Sequence, residues 1–260
     1  MEKLLKKNFV LLKLNAFYGE QYDFGREIGH EHNPGTLIFT PDGAVVSHTM
    51  KVLDADTMKR IIEDVLLAYL PLSDAKKLLK KEPEGAHANY AMGCAYYNAG
   101  GKKDSDAKKH LEKYLELDKD NKEYQVAETH YRLGVMALRA KRADKDKAKE
   151  HFKAAVEMDK TGRFRMKEHC DWAKVQALRR YKNLDVVKKA AREHIDKYPK
   201  SVFNGKAYML IAEICLAQKD IEGAVDAWLE LQDKRFGSIE YPAMQVLLKK
   251  YWNMSKRSKK

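Results

Sequence analysis

The 260-residue sequence has few cysteines, few prolines and no long apolar segment. No stretch approaches the ~20 apolar residues that a membrane-crossing helix needs, so we expect no membrane span. The three cysteines, Cys94, Cys170 and Cys215, lie far apart and form no CxxC pair. This spacing excludes a disulfide-dense scaffold and a zinc site built from cysteine pairs. We expect the three thiols to be small hydrophobic core residues.

The common catalytic and cofactor motifs are also missing. The sequence contains no Gly-rich phosphate loop, no HExxH zinc motif and no Ser/His/Asp signature. His30-Glu31-His32 supplies only two metal ligands, with His48 or Asp23 as a third candidate, and a polar loop is the favoured interpretation. We therefore expect no cofactor, no metal and no catalytic residue in the chain as written.

Charge divides the chain into two parts. Residues 1–70 carry eight Lys/Arg and ten Asp/Glu, a net charge of −2, whereas the remaining 42 basic and 28 acidic residues give +14. This asymmetry predicts two units with different surfaces and favours an acidic partner for the second. Basic and acidic residues are interspersed through almost every predicted helix, which disfavours nucleic acid as a partner. Residues 255–260 form a basic tail that we expect to be disordered.

The first seventy residues mix strand-like and helical patterns. Three apolar runs have the length and composition of strands: residues 9–14, 36–40 and 44–47. Pro41-Asp42-Gly43 is a turn signal between the last two runs. Asp54 then precedes apolar residues at helical spacing, which predicts a helix that ends near Tyr69. A second domain is predicted from residue 73 to residue 254.

This second domain is helical in pattern and repeats with an offset of 41 residues. The matched pairs are Gly93 and Gly134, Ala107 and Ala148, Leu111 and Phe152, Tyr114 and Ala155, Leu117 and Met158, and Asp118 and Asp159. Periods of ~20–50 residues are typical of stacked supersecondary units. The small residues predict points where two helices approach closely, and the larger ones predict the filling between hairpins.

These residues resemble the tetratricopeptide repeat. Its Leu-Gly-x-x-Tyr step is similar to Met92–Tyr96 and, more loosely, to Leu133–Ala137. Its Ala-x3-Phe-x2-Ala step is similar to residues 107–114 and 148–155. Shorter versions follow at Ala191, Ile195 and Tyr198 and at Ala207, Ala212, Ala224, Trp228 and Leu231, before a capping helix at 241–254. The resemblance implies an α-solenoid of four or five helical hairpins, with a repeat of 41 rather than ~34 residues.

Residues 1–70 resemble the second half of the thioredoxin fold, through Phe9–Asn15, Gly29–Phe39, Pro41–Gly43 and the final helix. The resemblance implies that Asn33 and Pro34 form the cis-Pro loop, which faces the active-site dithiol in that family. Gly35 departs from the family pattern, in which Thr follows this Pro directly. The half of the fold that carries CxxC has no counterpart in this chain.

Two interpretations of this missing half stay open. In the favoured one, the natural protein begins upstream of Met1. In the other, the domain is degenerate and rearranges its strand pairing or borrows a strand, so that unpaired strands of 1–70 support an oligomer. We expect no signal peptide in the chain as written, and the Tyr198–Ser201 step resembles repeats common in bacterial envelope proteins. The first interpretation therefore implies export to the periplasm, and the second implies a cytoplasmic location.

Tetratricopeptide arrays line a concave groove with the first helix of each hairpin, and the resemblance implies such a groove here. It assigns to the groove His87, Tyr90, Tyr97 and Asn98 from one repeat, and Glu128, Tyr131, Val135 and Arg139 from the next. Tyr and Arg suit peptide recognition because they combine apolar area with polar ends. The alternative for each aromatic is a place in the core between repeats. Ala91 and Arg132 occupy an Asn position of the carboxylate-clamping subtype, so that specificity is not expected.

The sequence thus predicts a non-catalytic interaction protein that holds an extended or helical segment of a protein or peptide partner. The alternative function belongs to another class. In it, the chain is the substrate-selecting part of a thioredoxin-like thiol–disulfide oxidoreductase whose CxxC half lies upstream of Met1.

Overall fold

The computed structural model describes residues 36–39, 45–49, 54–118, 123–180, 183–201, 203–234, 246–247 and 251. Two short strands, β1 (Thr36–Phe39) and β2 (Val45–Thr49), form a two-stranded sheet. They confirm, within two residues at each end, the strands predicted at 36–40 and 44–47. The other features predicted for the ends of the chain lie outside the described residues: the strand at 9–14, the loop with Asn33 and Pro34, His30-Glu31-His32, and the tail 255–260. The thioredoxin resemblance therefore stays a prediction.

From residue 54 onward the described chain is almost entirely helical, as predicted. Ten helices lie within the described residues: α1 (Ala55–Ala68), α2 (Leu72–Lys81), α3 (Ala86–Asn98), α4 (Asp104–Leu117), α5 (Glu123–Arg139), α6 (Lys145–Met158), α7 (Met166–Leu178), α8 (Leu184–Lys197), α9 (Asn204–Ala217) and α10 (Ile221–Lys234). A single 3₁₀ turn, Gly101–Lys103, precedes α4. The fold is mainly α.

Side-chain caps fix where four of these helices begin. Asp54, Asp144, Asn183 and Asp220 precede α1, α6, α8 and α10, and each accepts the backbone N–H three residues later at 2.8, 2.9, 3.2 and 2.8 Å. The first turn of a helix leaves its N–H groups without intrahelical partners, and such a cap satisfies one of them. The sequence signal at Asp54 therefore predicts the start of α1 correctly.

The 41-residue repeat corresponds to a repeated close contact between paired helices. A Cβ built at Gly93 of α3 would lie 2.6 Å from Leu111 Cγ of α4, and one built at Gly134 of α5 would lie 2.6 Å from Phe152 Cε1 of α6. Both glycines therefore stand where a facing side chain leaves no room for a methyl group. Ala107 and the equivalent residue of α6 are buried beside these contacts. The predicted close approach is confirmed in both hairpins, α3–α4 and α5–α6.

The helices divide into two compact units, with the division between Cys170 and Asp171 inside α7. In the first unit, α1 buries one apolar face, formed by Ile61, Ile62, Val65 and Ala68. Two polar contacts join this helix to the α3–α4 and α5–α6 hairpins. The side chain of Asn98 donates to the carbonyl of Ala68 at 3.1 Å, and that of Gln125 donates to Asp64 Oδ1 at 2.6 Å. These contacts place the end of α1 beside α3 and α5.

The second unit has its own core, contributed by α7, α8, α9 and α10. Its buried residues include seven of the eight named in the shorter predicted repeats: Ala191, Ile195, Ala207, Ala212, Ala224, Trp228 and Leu231. Tyr198, the eighth, is only half-buried. Tyr251, from the segment predicted to cap the domain, packs its ring 5.8 Å from that of Trp228. The positions chosen from the pattern therefore face a core in this unit as well.

Candidate functional site

A buried arginine lies at the centre of the candidate site. Arg132 on α5 is only 2% exposed. Its Nε donates to Oε1 of Glu128, one helical turn earlier, at 2.8 Å, and its Nη1 donates to Oδ1 of Asn98 on α3 at the same distance. A buried guanidinium is costly unless its charge is balanced and its N–H groups are bonded. Glu128 balances the charge, and the carbonyl of Cys94, 3.5 Å from Nη1, is a third acceptor beside Glu128 and Asn98. The pairing joins α5 to the end of α3.

Two guanidinium groups approach the ring of Tyr97 on α3. The Cζ of Arg132 lies 4.6 Å from the ring centroid, and the Cζ of Arg139 lies 5.0 Å from it. Burial raises the pKa of Tyr97, while the two guanidiniums act to lower it, and the phenol stays protonated at neutral pH. Both contacts are cation–π interactions, which also restrain the two arginines.

The surface of the site is formed by side chains that reach out of this cluster. Asn98 and Arg139 are exposed, Tyr97 is half-buried, and Tyr69 at the end of α1 is 40% exposed. The ring of Tyr69 lies 5.7 Å from Arg132 Cζ, so it belongs to the same cluster. Within the described part of the chain no carboxylate pairs with Arg139. Four side chains from three helices thus form an aromatic surface with one positive charge.

The structure brings together four of the eight residues predicted for a groove. These four are Tyr97, Asn98, Glu128 and Arg139, and all of them contact Arg132 or share its tyrosine. The other four lie elsewhere: Tyr90, His87, Tyr131 and Val135. Tyr90 is fully buried with its ring 5.1 Å from that of Tyr114, which makes it a core residue.

The remaining three predicted residues do not contact the central arginine. His87 is exposed at the start of α3. Tyr131 is half-buried and packs its ring edge-on to His169 at 5.7 Å and close to Phe152 at 6.4 Å. Val135 is 7% exposed. Sequence reasoning therefore found part of the site and included core residues with it.

Two residues of the site were not predicted, Arg132 and Tyr69. The spacing of Glu128 and Arg132 is the signal that could have revealed the first, because side chains four apart on a helix are neighbours. Tyr69 belongs to a helix assigned to the first domain. Its contact with α5 depends on how α1 packs, which no local pattern shows.

The three cysteines add no exposed thiol to this surface, although the carbonyl of Cys94 accepts from Arg132 Nη1 at 3.5 Å. All three are buried and free of disulfide bonds, which confirms the apolar burial predicted for them. Burial raises the pKa of the Cys94 thiol to about 11, so this cysteine is not a thiolate at neutral pH. The part of the chain that the structure describes contains no cluster of three or more His, Cys, Asp or Glu side chains suited to a metal ion.

Comparison with known proteins adds no family assignment. The sequence matches no family model and no curated protein. Among the described helices, none is both long enough and apolar enough to cross a membrane.

Proposed function

We propose that the chain is a protein-interaction module and that the surface formed by Tyr69, Tyr97, Asn98 and Arg139 binds a segment of a partner protein. The observation that carries the proposal is the contrast between Arg132 and Arg139 on one tyrosine ring. The first guanidinium is buried and bonded to a carboxylate and an amide, whereas the second is exposed and paired with no carboxylate of the described residues.

The buried half of this cluster supports binding by the exposed half. Glu128 and Asn98 hold Arg132, and Arg132 in turn restrains the Tyr97 ring. The ring is therefore already ordered before a partner binds. Side chains that are already ordered lose less conformational entropy on binding. Tyr and Arg are also the residue types that contribute most to binding at protein interfaces.

The charge of the surface favours an acidic partner segment. Arg139 provides a positive charge beside two tyrosines, and the domain as a whole is basic. The repeated α3–α4 and α5–α6 hairpins support the further proposal that the helices stack as a tetratricopeptide-like solenoid, with this surface in its groove. No described residue supplies a specific observation in favour of the oxidoreductase alternative.

Selection from a random-peptide display library against the full chain tests the proposal. The affinity of each selected peptide is then measured for the double variant Tyr97→Ala/Arg139→Ala, and Lys149→Ala on α6 is the control for loss of one exposed positive charge. We expect peptides rich in Asp and Glu that bind the wild type and the control but bind the double variant at least tenfold more weakly. Peptides that bind all three proteins equally would show that this surface is not the binding site.

A further inference from the structure

Each repeated hairpin carries one polar contact between its two helices that involves a histidine. In the α3–α4 hairpin, Nδ1 of His110 lies 3.0 Å from Oδ1 of Asn89. In the α5–α6 hairpin, Nδ1 of His151 lies 3.1 Å from Nδ1 of His130. The two contacts occupy the same positions of the 41-residue repeat. They differ in only one partner, which is an amide in the first hairpin and a second imidazole in the other.

The amide–imidazole contact accepts a proton without breaking. The Asn89 side-chain nitrogen donates to the carbonyls of Pro83 and Gly85 at 3.2 and 3.0 Å, which turns its oxygen toward His110. His110 therefore donates through Nδ1, and its second ring nitrogen is the one that gains a proton in acid. The hydrogen bond between α3 and α4 is the same before and after this protonation.

The imidazole–imidazole contact can hold only one extra proton. One ring donates its Nδ1–H and the other accepts through a bare Nδ1. A first proton enters at Nε2 of the donating ring and leaves the hydrogen bond intact. A second proton has to enter at the accepting Nδ1, where it replaces the hydrogen bond by two N–H groups on two cations. The titrations of His130 and His151 are therefore coupled.

The surroundings of the pair oppose its charging. Burial lowers the pKa of His130, and the neighbouring His151 lowers it further. Burial also lowers the pKa of His151, and Lys147 on α6 and Lys108 on α4 add to this effect. From α7, the ring of His169 packs edge-on against that of Tyr131, the residue next to His130, at 5.7 Å. The charged neighbours that act on the pair are thus lysines.

We propose that the His130–His151 pair is a pH-sensitive contact that holds α5 against α6 at neutral pH and loosens in acid. The pKa of each imidazole is lower in the folded chain than in the unfolded one. The stabilisation is therefore complete above the ordinary histidine pKa of about 6.5 and is lost as the pH falls below it. Because α5 also carries Arg132, acid would loosen the helix that supports the binding surface. This last consequence rests on the proposed function, whereas the contact itself does not.

Hydrogen exchange of the full chain at pH 7.5 and pH 5.0, corrected for intrinsic rates and followed by mass spectrometry, tests the proposal. We expect protection of residues 123–158 to fall about fivefold more than protection of residues 86–117, which corresponds to one neutral hydrogen bond of about 1 kcal/mol. The matched variant is His130→Asn, which gives the second hairpin the amide–imidazole contact of the first. This variant should remove the excess loss in acid and keep the protection seen at pH 7.5.

The proposal is overturned if acid lowers protection equally in the two hairpins. It is also overturned if His130→Asn still loses more protection in residues 123–158 than in residues 86–117. If His130→Asn does not fold, the imidazole resonances of the wild-type chain decide by NMR. We expect His130 and His151 to titrate in two linked steps, with the second below the ordinary range. Two independent titrations near pH 6.5 would contradict the coupling. Neither experiment uses a partner, so failure here is distinct from failure of the proposed function.

Discussion

Acid should destabilise the chain through His194 on α8. This side chain is 4% exposed and packs its ring 5.2 Å from that of Trp172 and 5.0 Å from that of Tyr198. Burial lowers its pKa to about 4, and Lys197 adds to the effect, while Asp171 opposes it. In the unfolded chain the imidazole takes up its proton near pH 6.5. Protonation therefore favours unfolding, and the stabilisation is lost as the pH falls from 6.5 toward 4.

The size of the effect follows from the two pKa values. With one pKa unit equal to about 1.4 kcal/mol, the full difference corresponds to roughly 3 kcal/mol, of which about 2 kcal/mol is lost by pH 5. Urea unfolding of the full chain at pH 7.5 and pH 5.0 measures this loss. His194→Phe keeps an aromatic ring in place and removes the titration. Between pH 7.5 and pH 5.0, the free energy of unfolding of this variant should therefore fall by about 2 kcal/mol less than that of the wild type.

The control for this experiment is His87→Gln, which removes an exposed histidine from α3. We expect this variant to keep the pH dependence of the wild type. If His194→Phe also keeps it, or if the His194 resonances titrate near pH 6.5, the argument from burial is refuted. The contact between His194 Nε2 and Ser201 Oγ, at 3.3 Å, is lost in the variant at every pH and so cancels from the comparison.

Two further substitutions test the packing of the first unit. Gly134→Ala should lower the free energy of unfolding by about 1–3 kcal/mol, because the new methyl group meets the Phe152 ring. Phe152→Ala removes that ring, so the loss in the Gly134→Ala/Phe152→Ala double variant should be smaller than the sum of the two single losses. Gly101→Ala should cost little because the nearest atom is 3.7 Å away. Arg132→Leu should cost about 3–5 kcal/mol because it leaves Glu128 buried without its partner, and Glu128→Leu in the same chain should restore most of it. Urea unfolding measures both series, and additive losses in either double variant would contradict the assigned contact.

The hairpins could be predicted from sequence because their determinants are local and repeated. Gly93 and Leu111 have counterparts 41 residues later. A small residue on one helix opposite a large one on the next indicates that the two helices pack closely there. Asp54 could likewise be assigned as a cap from its position before an apolar pattern. Such features depend on residues that are close in sequence or related by the repeat.

The faces of α3 could not be separated in the same way. Every residue from Ala88 to Ala95 is buried, so the centre of this helix has no exposed face. The sequence pattern therefore does not show which side of α3 faces a groove and which side faces the core. Tyr90 and Tyr97 are equally plausible groove residues in the sequence, yet the first lies in the core and the second at the surface cluster. The difference arises from the helices that cover α3, and α1 is one of them.

Arg132 is the residue whose role depends most on tertiary structure. Arginine is rarely buried, so its residue type gives no sign in the sequence that Arg132 lies in the interior. Asn98, 34 residues earlier, supplies the oxygen that makes burial possible. A buried ion pair is often no more stabilising than apolar residues of the same volume, so stability alone does not account for Glu128 and Arg132. The pair also holds a guanidinium against the Tyr97 ring beside the exposed Arg139, which is the arrangement that the proposed binding surface requires.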